Sequence, residues 1–226
     1  MHNFALSKRA MGRITLVGTA HRESGFCNES ELIRILEALA PEVIFEEIRP
    51  SDFEASYRDQ SKHTLEMRAV GSYLKVKPAR QVPVDDYVMP GSFPRDIARL
   101  EEYVQANCLE YCELMEEISR KKHLLGFPFL NSPGFEALNK RANESYERTV
   151  AMSGSEDLKK TLSIFNEQMR RRDVSMAGNI HEFCRKSPFT AGVFLVGAGH
   201  LPAILEEMAS RTRAPRFATL LLGPQG

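Results

Sequence analysis

Two histidines, His21 and His200, stand at the end of the same local phrase, far apart in the chain. Gly18-Thr19-Ala20-His21 follows the apolar run Ile14-Thr15-Leu16-Val17, and Gly197-Ala198-Gly199-His200 follows Val193-Phe194-Leu195-Val196. Each reads as a buried strand, a glycine turn and a histidine. In an open parallel sheet, ligands bind beyond the carboxyl ends of the strands. Two imidazoles delivered there by the same device can share one crevice, which is the geometry of a metal site or of a general-base pair. Two further strand ends deliver acids: Glu46 and Glu47 after Val43-Ile44-Phe45, and Asp85 and Asp86 after Arg80–Val84. Two imidazoles and two or three carboxylates are a normal set for a divalent transition metal such as zinc, manganese or cobalt. Such an ion acidifies bound water and polarises a carbonyl. Arg172, in the run Arg170-Arg171-Arg172-Asp173, offers a guanidinium for a developing oxyanion or for a carboxylate of substrate or site.

Each element also has a plainer structural use. His200 can begin the following helix, and carboxylates at strand ends often cap helices. The glycine turns resemble phosphate loops, yet GxGxxG is absent and no Lys-Ser/Thr follows. Glu46 and Glu47 point to opposite sides of a strand, so one of them enters an inner layer. A buried carboxylate needs a partner, and Arg49 and Arg170–Arg172 are the candidates. Cys108 and Cys112 share a helix face but have no second pair nearby, so the four cysteines (Cys27, Cys108, Cys112, Cys184) read as reduced thiols of a cytoplasmic protein.

The elements that must position these residues follow from periodicity. Residues 13–17 read as a strand. Residues 28–40 read as an amphipathic helix with Leu32, Ile35, Leu36 and Leu39 on one side, N-capped by Asn28 with Glu31 three residues on and stopped by Pro41. Val43-Ile44-Phe45 begins the next strand, so the unit implies a parallel pair with a right-handed crossover. A helix is expected over 60–75 and a strand over 80–84, in which Pro83 argues for an edge position. Pro90-Gly91-Ser92 is a turn. From 94 to 186 helical periodicity takes over, with helices over 94–123, 134–152 and 156–186. This block reads as an insertion capping the carboxyl edge. The α/β pattern resumes with a strand at 191–196, a helix at 201–211 and a strand at 217–222. The fold class is therefore α/β: a parallel or mixed central sheet with flanking helices and a mostly helical insertion, in a single domain spanning residues 1–226.

At 226 residues the chain can bury a core without disulfides or structural metals. Its formal net charge is zero, which favours neither nucleic acid nor an anionic membrane surface. No stretch approaches the roughly 18–20 apolar residues of a membrane helix, and Met1–Arg9 lacks the apolar centre of a secretory signal. A homo-oligomer is compatible with these features.

Four segments resemble the TraB/TIKI superfamily, which groups TraB/PrgY-type proteins with TIKI metalloproteases and GumN-like proteins; ChaN and erythromycin-esterase relatives are more distant. Leu16–His21 and Val196–Leu201 are similar to the family's two GxxH motifs. Pro41–Ile48 looks like its glutamate strand, which maps the key acid onto Glu47. Arg172-Asp173, with Met176 and Ile180, is similar to its R-D/N-x-x-M/W-x-x-x-I helix. An arginine usually stands a few residues later than Arg49, and Pro202-Ala203 replaces a common glycine. The resemblance implies an α/β core and, for TIKI-like members, peptide hydrolysis dependent on a divalent metal (Mn, Co or Zn). PrgY-like members inhibit peptide pheromones, and erythromycin-esterase relatives use a histidine base without a required metal. The resulting expectation is a hydrolase acting on a peptide or small-molecule amide or ester. His21, Glu47 and His200 would be metal ligands, Asp85 would complete the shell or orient a histidine, and Arg172 would stabilise the oxyanion. The alternatives are a metal-free esterase with His21 as base and a non-enzymatic peptide- or ligand-binding regulator.

Overall fold

A computed structural model describes residues 12–59, 61, 63–87, 91 and 93–211, and the backbone of 216–219. The readings made on Met1–Arg9, on Pro90 and Ser92, and on the last strand beyond Thr219 lie outside these residues. Five strands, β1 (Arg13–Thr19), β2 (Val43–Glu46), β3 (Arg80–Pro83), β4 (Ala191–Gly197) and β5 (Arg216–Thr219), form one sheet in the order β3-β2-β4-β1-β5. Every pairing is parallel. The fold is α/β with flanking helices. The central strands are unbroken apolar runs because helices cover both of their faces.

Side chains alternate across the sheet. Val17, Ile44, Val193 and Leu195 pack into one cluster with Leu32 and Leu36 of α1 (Glu29–Leu39). The same cluster takes Leu65 and Ala69 from α3 (Leu65–Leu74), which Thr64 N-caps. Ile14, Leu16, Phe45, Phe194 and Val196 pack into the other with Met176, Ala177 and Ile180 of α8 (Glu156–Lys186). Ile204 and Met208 of α9 (Leu201–Ser210) complete that layer. The molecule is thus three layers, helix–sheet–helix.

Strands β1 and β2 are parallel but do not pair with each other, contrary to the simplest reading of the strand–helix–strand unit. β4 lies between them. The reason is hydrophobic: β4 is buried along its centre on both sides, so it stabilises most in the middle of the sheet. Pro83 sits in β3 at an edge, where its missing N–H costs no ladder bond. The insertion resolves into α4 (Phe93–Asn107), α5 (Leu109–Leu125), α6 (Phe127–Leu130), α7 (Pro133–Met152) and α8. The single helix expected over 94–123 breaks at Cys108, whose backbone is extended. The expected break at 126–129 contains α6, which buries Phe127, Phe129 and Leu130. A short helix, α2 (Phe53–Arg58), follows β2 before α3, and it buries no side chain. The insertion meets the sheet in two ways. Asn131, just after α6, receives the Gly18 N–H (2.7 Å) and donates to the Gly18 carbonyl (3.0 Å) at the end of β1. The first half of α8 packs with α4 and α7, whereas its second half lies on the sheet. Among the described residues no helix is long and apolar enough to cross a membrane.

Candidate functional site

Chain direction locates the crevice. After β1 the chain turns to α1 on one face of the sheet; after β4 it turns to α9 on the other. Because β1 and β4 are neighbours, their carboxyl ends form a topological switch point, where open parallel sheets bind ligands. Thr19 and Gly197 are register partners. His21 leaves the sheet two residues after the first and His200 three residues after the second, so both stand at the same carboxyl edge.

Gly18 sits at a close approach of the two histidine loops. A Cβ there would come within 2.6 Å of Leu201 Cδ1 and 3.1 Å of Ala198 Cβ, so the absent side chain lets the two histidine loops pack. Gly197 carries no such constraint. Its N–H instead donates to Glu47 Oε2 at 2.8 Å, which spends on a carboxylate the amide that a phosphate loop would offer an anion. His200 occupies the N-cap position of α9 but makes no side-chain cap bond.

Each imidazole is held through Nδ1 by a carboxylate. His21 Nδ1 lies 3.3 Å from Glu66 Oε1, and Thr19 Oγ1 donates to the same oxygen at 2.6 Å. His200 Nδ1 lies 2.6 Å from Asp173 Oδ1. The His21 side chain is 60% exposed, whereas His200 is largely buried. The Glu66 hydrogen bond raises the His21 pKa above its ordinary 6.5, against the opposing effect of partial burial. Burial would lift Glu66, but the bond and charge of His21 outweigh it and hold the carboxyl down at about 2. For His200, burial lowers the pKa, while the Asp173 bond and the charges of Glu47 and Asp173 raise it to a net value above 6.5.

Glu47 faces His200 and Arg172, and Glu46 points to the other face of the sheet, as strand alternation requires. Glu47 Oε1 is 2.5 Å from Arg172 Nη2 and 3.6 Å from His200 Nε2. The Glu47 and Arg172 charges also act on the protonation of His21. Glu46 points into the opposite layer, 2% exposed, where it accepts hydrogen bonds from Tyr57 and from Gln81 Nε2 (3.0 Å). Burial pushes its pKa up to about 7 despite those bonds. Asp85 grips Arg172 through both oxygens (2.8 and 3.4 Å), and the Tyr87 ring lies 5.0 Å from the guanidinium. Asp86 turns to Ser175. Arg49 pairs with Asp52, so the partner of the buried acids is Arg172. Its own pKa is raised, because its carboxylate neighbours outweigh burial.

His21, Glu47, Asp85, Arg172 and His200 therefore all lie at the carboxyl edge. Glu66 and Asp173, which orient the rings, were not read from the sequence as site residues, although a signal was present. Glu66 with Ala69, Val70 and Tyr73, and Asp173 with Met176, Ala177 and Ile180, are each an acid three, four and seven residues before buried apolar side chains. An acid heading an apolar helical stripe is buried and needs a partner.

As metal donors these residues fit in part. Both rings are anchored through Nδ1 by carboxylates, as metal-ligating histidines commonly are, which turns Nε2 of His21 away from Glu66 and Nε2 of His200 toward Glu47. Glu47 and Asp85, however, already neutralise Arg172, and a cation beside Glu47 would face that guanidinium at short range. Among the described residues no three His, Cys, Asp or Glu side chains converge as a metal shell. The four cysteines are free.

Fold and edge define a three-layer parallel α/β protein with two carboxylate-held histidines at its switch point. No family model matches the chain, and no match was found among curated proteins or solved structures.

Proposed function

We propose that this protein hydrolyses an ester or amide, with His21 as general base. The observation that carries the reading is a solvent-facing imidazole anchored through Nδ1 to a buried carboxylate at the switch-point crevice. Glu66 fixes the ring and stabilises the imidazolium, while Nε2 takes a proton from water. The water oxygen bonds to the carbonyl carbon, the bond to the leaving group breaks, and His21 returns the proton to the departing oxygen or nitrogen. His200, held by Asp173 and kept protonated toward higher pH, donates to the developing oxyanion. Arg172 holds Glu47 and Asp85 together at the edge. The motif resemblance to the TraB/TIKI superfamily and its esterase relatives supports the same reaction class.

A second reading, in which His21, His200 and Glu47 hold a divalent metal, is favoured by the two Nδ1-anchored rings. The test separates the two. Turnover of p-nitrophenyl esters and of peptide p-nitroanilides is measured before and after chelation, with metal analysis of the purified protein. With a histidine base, activity survives EDTA and His21→Ala lowers it by roughly 100- to 10,000-fold. Loss in EDTA with recovery on zinc or manganese would overturn that reading for the metal one. Ligand binding that persists in His21→Ala, with no turnover in either protein, would instead mark a binding protein.

A further inference from the structure

Tyr87, just beyond β3, stands at the same carboxyl edge and has no place in the chemistry above. The chain leading to it is clipped to α8 residue by residue. The Val84 carbonyl accepts from Asn179 Nδ2 (2.9 Å), Asp85 grips Arg172, and Asp86 accepts from Ser175 Oγ. The Tyr87 N–H then donates to Asp85 Oδ1 at 3.1 Å, the oxygen that also faces Arg172 Nε at 3.4 Å. The Tyr87 ring lies over the Arg172 guanidinium, 5.0 Å from Cζ to the ring centre. An aromatic face within about 6 Å of a guanidinium attracts it, and more strongly where water is scarce. Water is scarce here, because the Arg172 side chain is 14% exposed. The Tyr87 hydroxyl, by contrast, is buried and has no hydrogen-bond partner among the described residues. What Tyr87 offers its neighbours is therefore the ring and not the hydroxyl.

We infer that Tyr87 is a positioning residue for His200, acting through Arg172 and Glu47. Arg172 Nη2 reaches Glu47 Oε1 at 2.5 Å, and that oxygen lies 3.6 Å from His200 Nε2. Glu47 Oε2 accepts the N–H of Gly197, at the turn that leads into His200. With the ring over it, the guanidinium keeps one orientation and serves Asp85 and Glu47 together. Without the ring, water competes for the guanidinium and Glu47 loses its fixed place beside His200. This rests on the hydrolase reading and adds the residue that fixes its oxyanion donor. Negative charge develops on the carbonyl oxygen only in the transition state, so the loss falls on kcat and leaves KM nearly alone.

The test compares Tyr87→Leu and Tyr87→Phe with the wild type, each as the full chain. Hydrolysis of p-nitrophenyl acetate gives kcat and KM, and nitrogen-15 NMR of the Arg172 guanidinium gives its mobility without any turnover. Tyr87→Leu should lower kcat about tenfold with KM nearly unchanged, and Tyr87→Phe, which keeps the aromatic face, should restore kcat to within about twofold. The Arg172 Nη signals should be separate in the wild type and in Tyr87→Phe, where the group is held, and averaged in Tyr87→Leu. A residue that serves packing alone would lower the melting temperature and move neither kcat nor these signals. Unchanged kcat in Tyr87→Leu, separate Arg172 signals there, or a Tyr87→Phe variant as slow as Tyr87→Leu each overturns the inference. Should Tyr87→Leu not fold, pentafluorophenylalanine at position 87 replaces it. That side chain keeps the ring but reverses the charge distribution of its face, so kcat must fall with it too, and an unchanged kcat overturns the inference. If the wild-type protein does not cleave the ester, or His21→Ala keeps full turnover, the hydrolase reading fails by itself. The Arg172 signals then decide alone: averaging in Tyr87→Leu sustains Tyr87 as the residue that holds Arg172, and separate signals refute it.

Discussion

Glu66 and Asp173 give the two histidines different surroundings. Both hold Nδ1, but Glu66 leaves its ring facing solvent while Asp173 holds its ring beneath Glu47 and Arg172. A base must be neutral to act, and the Glu66 bond keeps His21 protonated above its ordinary 6.5. Turnover is therefore expected to rise with pH through a pKa above 6.5. In Glu66→Gln that acid limb should move to lower pH while the plateau falls, read from a pH–rate profile. A limb that stays in place would remove Glu66 from the mechanism. Arg172 has a different signature. Replacement by Met leaves Glu47 and Asp85 as neighbouring buried carboxylates without their cation, and breaking a buried pair in this way costs about 3–5 kcal/mol. Arg172→Met should lower the urea midpoint accordingly. If stability is unchanged and only turnover falls, the arginine acts on substrate instead of on the architecture.

The helices fix where these side chains stand. α8 is 31 residues long, about 46 Å at the usual rise. Arg172 and Asp173 sit where it passes from the α4–α7 bundle onto the sheet, with Asn179 donating to the Val84 carbonyl (2.9 Å) to hold the β3 end against it. The insertion is tied to β1 through Asn131, which satisfies both polar groups of Gly18 and donates to the Phe127 carbonyl (2.9 Å). Asn131→Ala leaves a buried N–H without a partner and should cost about 1–3 kcal/mol, measured by equilibrium unfolding. Amide exchange at Gly18 should quicken with it. If exchange at Gly18 stays slow, the insertion is secured elsewhere. Much at this scale was legible from pattern alone. Asn28 caps α1 by accepting from the Glu31 N–H at 3.0 Å, Pro83 sits in an edge strand, and α8 spans the range expected of it. What periodicity does not carry is spatial order: nothing local in β1, α1 and β2 signals that a strand some 150 residues later will separate β1 from β2.

Across the whole molecule Glu66 opposes Glu46 and the two histidines in its response to pH. Glu66, held at about 2 in the folded chain against 4.5 unfolded, contributes stability above pH 4.5 that is lost as pH falls toward 2. Glu46, raised to about 7, acts in reverse. The unfolded chain releases that proton near 4.5 and the folded one near 7, so its contribution is complete below 4.5 and lost as pH rises through this window, by up to roughly 3 kcal/mol. His21 and His200, both raised, contribute fully below 6.5 and lose that contribution as pH rises through their folded pKa values. Stability should therefore be greatest in mildly acidic solution. Glu46→Gln, which keeps an acceptor for Tyr57, should flatten the decline between pH 5 and pH 7.5, as followed by urea unfolding at each pH. An equal decline in the variant would mean that the histidines alone produce it.

The sequence by itself determined most of the strands and helices, though not α2, α6 or the break at Cys108, and which strand ends carry histidines and acids, because those follow from local hydrophobic period, caps and turn residues. The tertiary structure decided the rest. It placed β4 between β1 and β2, turned Glu47 rather than Glu46 to the crevice, gave Arg172 rather than Arg49 to the acids, and brought Glu66 and Asp173 to the imidazoles. The charge pairings join residues up to 125 positions apart, and only the packing of helices onto a shared sheet selects which buried charge finds which partner.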